Sequence, residues 1–409
     1  MTNEAAACRA CGSPMTPFMR FGRMPVANAF VTEDQFAREY FYELAAAFCA
    51  PCGMFQIVDH PDPAQMFHDS YAFFTRTSKG MVAHFHTYAE WVAERFLKKP
   101  DAFVVEVGCN DGALIENFAT GGLRHLGIEP SANVAAVANR HGVRTRVAFF
   151  DPETARAVRA SDGPADAIVA ANVICHIPNI RGVAEGVATL LAPHGVFAFE
   201  EPYLGAMIAK ASYDQIYDEH VFIFSARAVA AVFAPFGLEL IDTVPQATHG
   251  GSMRYVLGRK GAHSVSPSVA RTLAEEERQG LHLAATYDEF RRRCERNRDE
   301  LVGLIRDLRR QGQRVVGYAA TSKSTTVLNY CGLGPHDIEF ISDTTPLKQG
   351  KFTPGSHIPV RSPEAFADPY PGFAVLFGWN HETEILGKEK AFAAAGGRWI
   401  KFVPEVRLS

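Results

Sequence analysis

The sequence predicts an α/β protein in three parts: a small cysteine-bearing N-terminal module, a central doubly wound and mostly parallel sheet, and a smaller Rossmann-like sheet unit at the C-terminus. Three observations carry this. Two Cys-x-x-Cys pairs, Cys8/Cys11 and Cys49/Cys52, lie in an opening segment rich in Pro and Phe. From Tyr71 to Gly258, short apolar runs alternate with helical stretches. The alternation resumes at Arg314-Val315-Val316-Gly317-Tyr318, after a long charged stretch.

The segment 1–65 is too short to bury a sizeable core, so a metal is expected to supply the missing folding free energy. Four cysteines in two knuckles suit zinc, and a site closed by four thiolates has no open position, which makes it structural. The other cysteines, Cys109, Cys175, Cys294 and Cys331, show no pairing logic. Reduced thiols, no signal-like start and no apolar run of roughly 20 residues point to a cytoplasmic protein off the membrane. The net charge of −4 argues against nucleic acid as a partner. A monomer is expected.

Residues 66–262 form the central domain. Thr87–Lys98 reads as a helix, Phe103–Val107 as a buried strand and His125–Ile128 as the second strand. Ser131–His141 is the helix after it, and Ala165–Ala171 and Val196–Glu200 are later strands. Residues 263–409 begin with charged helices over 268–311, a solvated connector. The C-terminal sheet unit follows, with further strands at Ile338–Ile341 and Ala374–Phe377.

The first central strand runs into Glu106-Val107-Gly108-Cys109-Asn110-Asp111-Gly112. This spacing differs from the dinucleotide pattern Gly-x-Gly-x-x-Gly. An acidic residue in the strand and a Gly-x-x-x-Gly turn suit S-adenosylmethionine, which has no pyrophosphate for a helix N-terminus to hold. Gly108 and Gly112 let backbone approach the ligand, and Glu129, ending the second strand, is placed to accept bonds from ribose hydroxyls. Asn172, just after a later strand, and Phe150 are expected to border the cofactor.

Tyr217, Glu219 and His220 cluster after a strand ending in Glu200-Glu201-Pro202. Histidine has a pKa near working pH and serves as a base with little tuning, while a phenol or carboxylate beside it orients the ring or steadies developing charge. His176, shortly after a strand end, sits at a favoured sheet edge. Tyr71, before the central sheet, either covers the pocket or simply packs.

With these motifs in order, the chain resembles the zinc-containing sugar C-methyltransferases, including the C-3 methyltransferases of deoxysugar pathways, over nearly its whole length. Cys8-Arg9-Ala10-Cys11-Gly12, Pro25-Val26-Ala27-Asn28 and Cys49-x-x-Cys52-Gly53 resemble their zinc module. Glu106–Gly112 resembles their methyl-donor loop and Tyr217-x-Glu219-His220 their catalytic segment. Lys323, Asp343, Lys348 and Trp379-Asn380 resemble positions of their nucleotide-sugar domain. The pattern departs at Asp218, where members often carry histidine, and at Ala319–Ser324, in place of Gly-Ala-x-x-Lys-Gly.

The resemblance implies a dTDP- or GDP-linked 4-keto-6-deoxysugar as substrate. It implies His220 as base with Tyr217 and Glu219 assisting, and Tyr71, Asn172 and His176 in the pocket. A C4 ketone acidifies the C3 proton because the carbanion delocalises into an enolate, so a base and a methyl donor suffice. The alternatives are a zinc-bearing RNA methyltransferase and a non-catalytic scaffold on a methyltransferase fold. Salt-sensitive RNA binding would mark the first.

Overall fold

The computed structural model describes residues 6–61 and 74–409. Tyr71 lies outside the described residues. Among them, no helix is long and apolar enough to cross a membrane.

In the N-terminal module, β1 (Ala6–Ala7) and β2 (Pro14–Met15) pair as a short ribbon, and β3 (Pro17–Pro25), β4 (Phe41–Cys49) and β5 (Met54–Ile57) form an antiparallel meander. Both cysteine pairs sit in tight turns of one design. The Gly12 N–H donates to the Cys8 carbonyl at 2.8 Å and the Gly53 N–H to the Cys49 carbonyl at 2.7 Å. Both glycines have positive φ, 79° and 75°, which residues with a Cβ resist.

The central sheet contains β6 (Phe103–Val107), β7 (Arg124–Ile128), β8 (Thr145–Arg146), β9 (Ala165–Ala171) and β10 (Leu191–Pro202), all parallel. The strand β11 (Phe222–Ile223) leaves this sheet. β12 (Leu238–Gln246) and β13 (Ser252–Arg259) close one edge antiparallel, giving the order β12-β13-β10-β9-β6-β7-β8. Chain direction across the sheet reverses between β6 and β9. That switch point opens a crevice at the strands' C-terminal ends, where doubly wound folds bind ligands. Gly108 follows β6 and Asn172 follows β9.

Two elements exceed their expected bounds by more than a residue. The helix begins at Lys79, not Thr87, because Ser78 caps it by accepting the Met81 N–H. Its first turns are largely exposed, so no apolar period marks them. β10 runs from Leu191 to Pro202, through Pro193 and Gly195 ahead of the expected Val196 start, and includes Glu200 and Glu201, buried against hydrogen-bond donors.

Helices Pro267–Arg278 and Ala284–Arg310 lead to the C-terminal sheet. It comprises β14 (Val315–Tyr318), β15 (Ile341–Ser342), β16 (Val360–Arg361), β17 (Phe373–Leu376), β18 (Arg398–Lys401) and β19 (Arg407–Leu408), in the order β16-β15-β14-β17-β18-β19. Only β19 is antiparallel. β15 is shorter than the Ile338–Ile341 run, whose residues Ile338 and Phe340 are core but lie before the strand proper.

The parts interlock through the segment around His220. β11 pairs antiparallel with β5, Phe222 opposite Gln56 and Ile223 opposite Phe55, so the cysteine module's sheet reads β11-β5-β4-β3. The Ala27 N–H donates to Asp218 Oδ1 at 3.0 Å, and the Thr325 hydroxyl donates to the Ala27 carbonyl at 2.9 Å. A bridge between Val31 and Phe352 ties the module to the C-terminal sheet unit.

Candidate functional site

A cavity of about 360 Å³ opens at the switch point, and all three parts line it. Its floor is the loop after β6. Gly108 has φ 66°, and a Cβ there would come within 2.3 Å of Val173 Cγ2, so only glycine fits. The Gly108 N–H donates to the Ile128 carbonyl at 2.8 Å, which pins the loop to β7. Gly112, φ 81°, does not line the cavity; a Cβ there would press Ala138 at 3.0 Å, so this glycine serves packing of the following helix.

Glu129 accepts the Asn110 N–H on Oε2 and the Ser131 N–H on Oε1, each at 2.9 Å. Every carboxylate oxygen has a second lone pair, so both remain able to accept from a vicinal diol. Burial raises its pKa against these bonds. Glu106 accepts the Ile115 N–H at 2.9 Å and so occupies the positive end of the next helix. A phosphate has no place there, whereas the phosphate-free S-adenosylmethionine fits a glycine loop with a diol acceptor. Asp111 turns from the cavity and accepts the Arg76 N–H at 2.9 Å. Phe150 and Asn172, the latter at φ 54°, both line the cavity.

The opposite wall carries Tyr217, Glu219, His220, His176 and His249. His220 Nδ1 lies 2.8 Å from the Gln215 carbonyl, which can only accept, so Nδ1 carries the proton. Nε2 therefore holds the lone pair, and the Tyr217 hydroxyl donates to it at 2.9 Å. Burial, then the neighbouring His176, push the His220 pKa well below 6.5, which keeps the ring neutral. Burial lowers His176 to about 4. Glu219 accepts from the Asn28 amide at 2.6 Å, and burial raises its pKa. Asp218, pushed up to about 8 by burial and by Glu219, faces the module's backbone.

Lys323 and Lys348 reach the cavity from the C-terminal unit. The Lys323 ammonium is buried, has no hydrogen-bond partner among the described residues and sits 5.2 Å over the Trp379 ring. Trp379 Nε1 donates to Asp214 Oδ2 at 2.6 Å. Lys348 Nζ donates to the Ala320 carbonyl at 2.7 Å. Asp343, Trp379 and Asn380 do not line the cavity. Asp343 accepts the Ala320 and Thr345 N–H groups, each at 2.7 Å.

Sequence reasoning passed over His249 and Asn28 as lining residues. His249 holds a left-handed φ of 54° beside two glycines, and a Cβ on Gly250 would meet Trp379 at 2.2 Å. A histidine before Gly-Gly was the only hint. Asn28 reaches the cavity because the loop after β3 hydrogen-bonds to Asp218 and Glu219, a long-range contact that no local pattern encodes.

The cysteine cluster fits zinc. Sγ atoms of Cys8, Cys11, Cys49 and Cys52 lie within 4.8 Å of one another, with Cys8–Cys52 at 3.6 Å and Cys11–Cys49 at 3.4 Å. A tetrahedral Zn–S₄ site has sulfur–sulfur edges of about 3.8 Å, whereas a disulfide is about 2.05 Å long. All four thiols are free.

Three family profiles match the chain in turn: a "putative zinc binding domain" over residues 8–67, a "methyltransferase domain" over 82–243 and a "C-methyltransferase C-terminal domain" over 247–404. The C-methyltransferase NovU of Streptomyces niveus is 36% identical over 404 residues, 98% of this chain and 96% of that one. A ubiquinone biosynthesis O-methyltransferase of Pectobacterium carotovorum is 26% identical over 193 residues, 46% of this chain and 69% of that one. Among solved structures, a SAM-dependent methyltransferase from Anabaena variabilis covers 42% of this chain and 84% of its own at 16% identity and a TM-score of 0.36. The magnesium protoporphyrin IX methyltransferase of Synechocystis, solved with bound SAM, covers 44% and 80% at 14% identity and a TM-score of 0.35.

Proposed function

Because the chain belongs to the zinc-containing C-methyltransferase family, using S-adenosylmethionine and a structural zinc, we propose that it methylates C3 of a nucleotide-linked 4-keto-6-deoxysugar through an enolate. One observation carries this reading: a single cavity has a diol-accepting glycine loop on one wall, a neutral histidine base on the other and two lysines at its C-terminal edge.

His220 takes the C3 proton on Nε2, the only ring nitrogen with a lone pair. Its depressed pKa keeps that lone pair available at neutral pH. The Tyr217 hydroxyl rests on that lone pair, so it first turns to the C4 carbonyl oxygen of the bound sugar; this frees Nε2 for the C3 proton and puts a donor on the oxygen that becomes the enolate. Asn28 holds Glu219 and so fixes the segment that presents the base. Gly108, Asn110 and Glu129, with Phe150 and Asn172, hold the cofactor; bound S-adenosylmethionine supplies an electrophilic methyl group. Lys323 and Lys348 offer cations to a diphosphate, and burial, which favours shedding their charge, makes an anionic ligand there more welcome.

The test is a panel of dTDP- and GDP-linked 4-keto-6-deoxysugars incubated with enzyme and S-adenosylmethionine and read by mass spectrometry. A one-methyl gain on a 4-keto sugar, absent from its 4-hydroxy counterpart, is expected. Binding of S-adenosylmethionine without methyl transfer to any panel member would overturn the substrate assignment.

A further inference from the structure

Besides the four cysteines, one other group among the described residues places metal-ligating atoms together. Cys175, His176 and His220 each offer one ligand atom, and the three lie within 4.8 Å of one another. A thiol and two imidazoles make a donor set that zinc accepts, and three protein ligands leave a fourth position open. His176 and His220 line the cavity, with Cys175 fully buried, so the open position faces the space where a substrate sits.

Two surrounding features suit a metal. His220 donates its Nδ1–H to the Gln215 carbonyl, the arrangement that orients a metal-binding imidazole through its other nitrogen. The turn bearing Cys175 is anchored by Glu201, whose Oε1 accepts the N–H groups of Val173, Ile174 and Cys175 at 3.0, 2.7 and 3.3 Å. Ligand edges in a tetrahedral site run about 3.3 to 3.8 Å, so the side chains must close by about 1 Å, within reach of small χ adjustments.

We propose that Cys175, His176 and His220 form a second zinc site, distinct from the structural one, and that filling it switches the enzyme off. The step is coordination without redox change. The Cys175 thiol loses its proton to buffer as the Zn–S bond forms. The His220 lone pair leaves the Tyr217 hydroxyl for the metal, and the base is gone. The inhibitory half rests on His220 being the base; the binding half does not.

The test uses the full-length enzyme carrying its structural zinc, with metal-buffered Zn²⁺ as the probe. A second equivalent should bind with release of a proton, and turnover should fall as it fills. Brief treatment with a weak chelator should restore turnover and leave the first zinc in place. Co²⁺ at the second site should give a thiolate-to-metal absorption band. Cys175→Ser and Cys175→Ala should keep the first zinc and basal turnover, lose the cobalt band and, since a direct ligand is removed, need more than the roughly 10- to 100-fold extra Zn²⁺ that loss of an outer-shell partner costs. Binding of one equivalent only by the wild type, or equal inhibition of both variants, overturns the site. A second equivalent that depends on Cys175 but leaves turnover intact overturns the inhibition; the assignment of the base is tested separately, by C3 exchange in His220→Asn.

Discussion

In the central sheet, Glu129 at the end of β7 accepts the N–H of Asn110 and of Ser131, and the Gly108 N–H donates to the Ile128 carbonyl at 2.8 Å. In the C-terminal sheet, Asp343 at the end of β15 accepts the N–H of Ala320 and of Thr345, and the Ala319 N–H donates to the Ser342 carbonyl at 2.8 Å. The first residue after the leading strand is left-handed in both, Gly108 at 66° and Ala319 at 71°. Bond for bond, the two turns are built alike. They differ in what they face. Glu129 lines the cavity, whereas Asp343 does not, and Lys348 folds over its loop onto the Ala320 carbonyl. The comparison teaches that this turn is first a way of locking two parallel strands, and becomes a ligand site only where the neighbouring chain leaves room. The C-terminal copy instead lends cations, Lys323 and Lys348, to the central cavity.

If chemistry belongs to the central cavity alone, its largest signature is at His220. His220→Asn should retain S-adenosylmethionine affinity and lose about 10² to 10⁴ in turnover, the span of a general base. In heavy water, wild type given the keto sugar and S-adenosylhomocysteine should exchange the C3 proton, and the variant should not. Exchange at the wild-type rate in the variant would move the base to Tyr217 or His176.

Acid should find the same region. His176 is lowered to about 4 and His249 to about 3, chiefly by burial, and His220 is lowered as well. Between those values and the unfolded pKa of about 6.5, the unfolded chain binds more protons than the folded one. The histidine contribution to stability therefore rises with pH through this window and is lost as pH falls from about 6.5 toward 4. Buried carboxylates such as Asp218, pushed up to about 8, act in the opposite sense, so the histidine share is read by difference: between pH 7 and pH 5 the melting midpoint of His249→Gln should fall less, or rise more, than that of the wild type. An unchanged slope in that variant would mean that His249 is already charged in the fold.

Much of this was legible in the sequence because it is local. Strand periodicity located β6, β7 and β9 to within a residue, and the spacing of Cys8, Cys11, Cys49 and Cys52 carried the knuckles. What the sequence hid is long-range. β11 is two residues long and leaves its neighbours' sheet to pair with β5, so nothing nearby announces it. Asn28 and His249 enter the cavity through such contacts. Asp111 and Asp343 look like ligand carboxylates on paper, but both are engaged by backbone N–H groups of adjacent turns, and that partnership appears only in three dimensions.

The matched carboxylates allow a direct test. Glu129→Ala removes an acceptor for the ribose diol and the anchor of Asn110, and should weaken S-adenosylmethionine binding about 10- to 100-fold, in line with roughly 1.5–3 kcal/mol for a charged hydrogen bond. Asp343→Ala strands two N–H groups and should cost about 1–3 kcal/mol of stability for each one left buried, with cofactor affinity unchanged by calorimetry. Weakened cofactor binding in the second variant would erase the distinction between the two turns.

The smallest effect lies at the first residue of each turn. Gly108 cannot accept a Cβ because Val173 occupies the space, yet Ala319 carries one at nearly the same φ. A left-handed L-residue costs about 1–2 kcal/mol relative to its relaxed state. Glycine relieves that strain but gives back about 0.4–1 kcal/mol through a freer unfolded chain. Ala319→Gly should therefore stabilise the C-terminal unit by up to about 1.6 kcal/mol, read as a higher urea midpoint by the fluorescence of Trp379 and Trp399. Cofactor affinity should not move. If the variant is instead destabilised, the Ala319 methyl, which packs against the C-terminal core, contributes packing that outweighs its strain, and the two turns differ in core as well as in outlook.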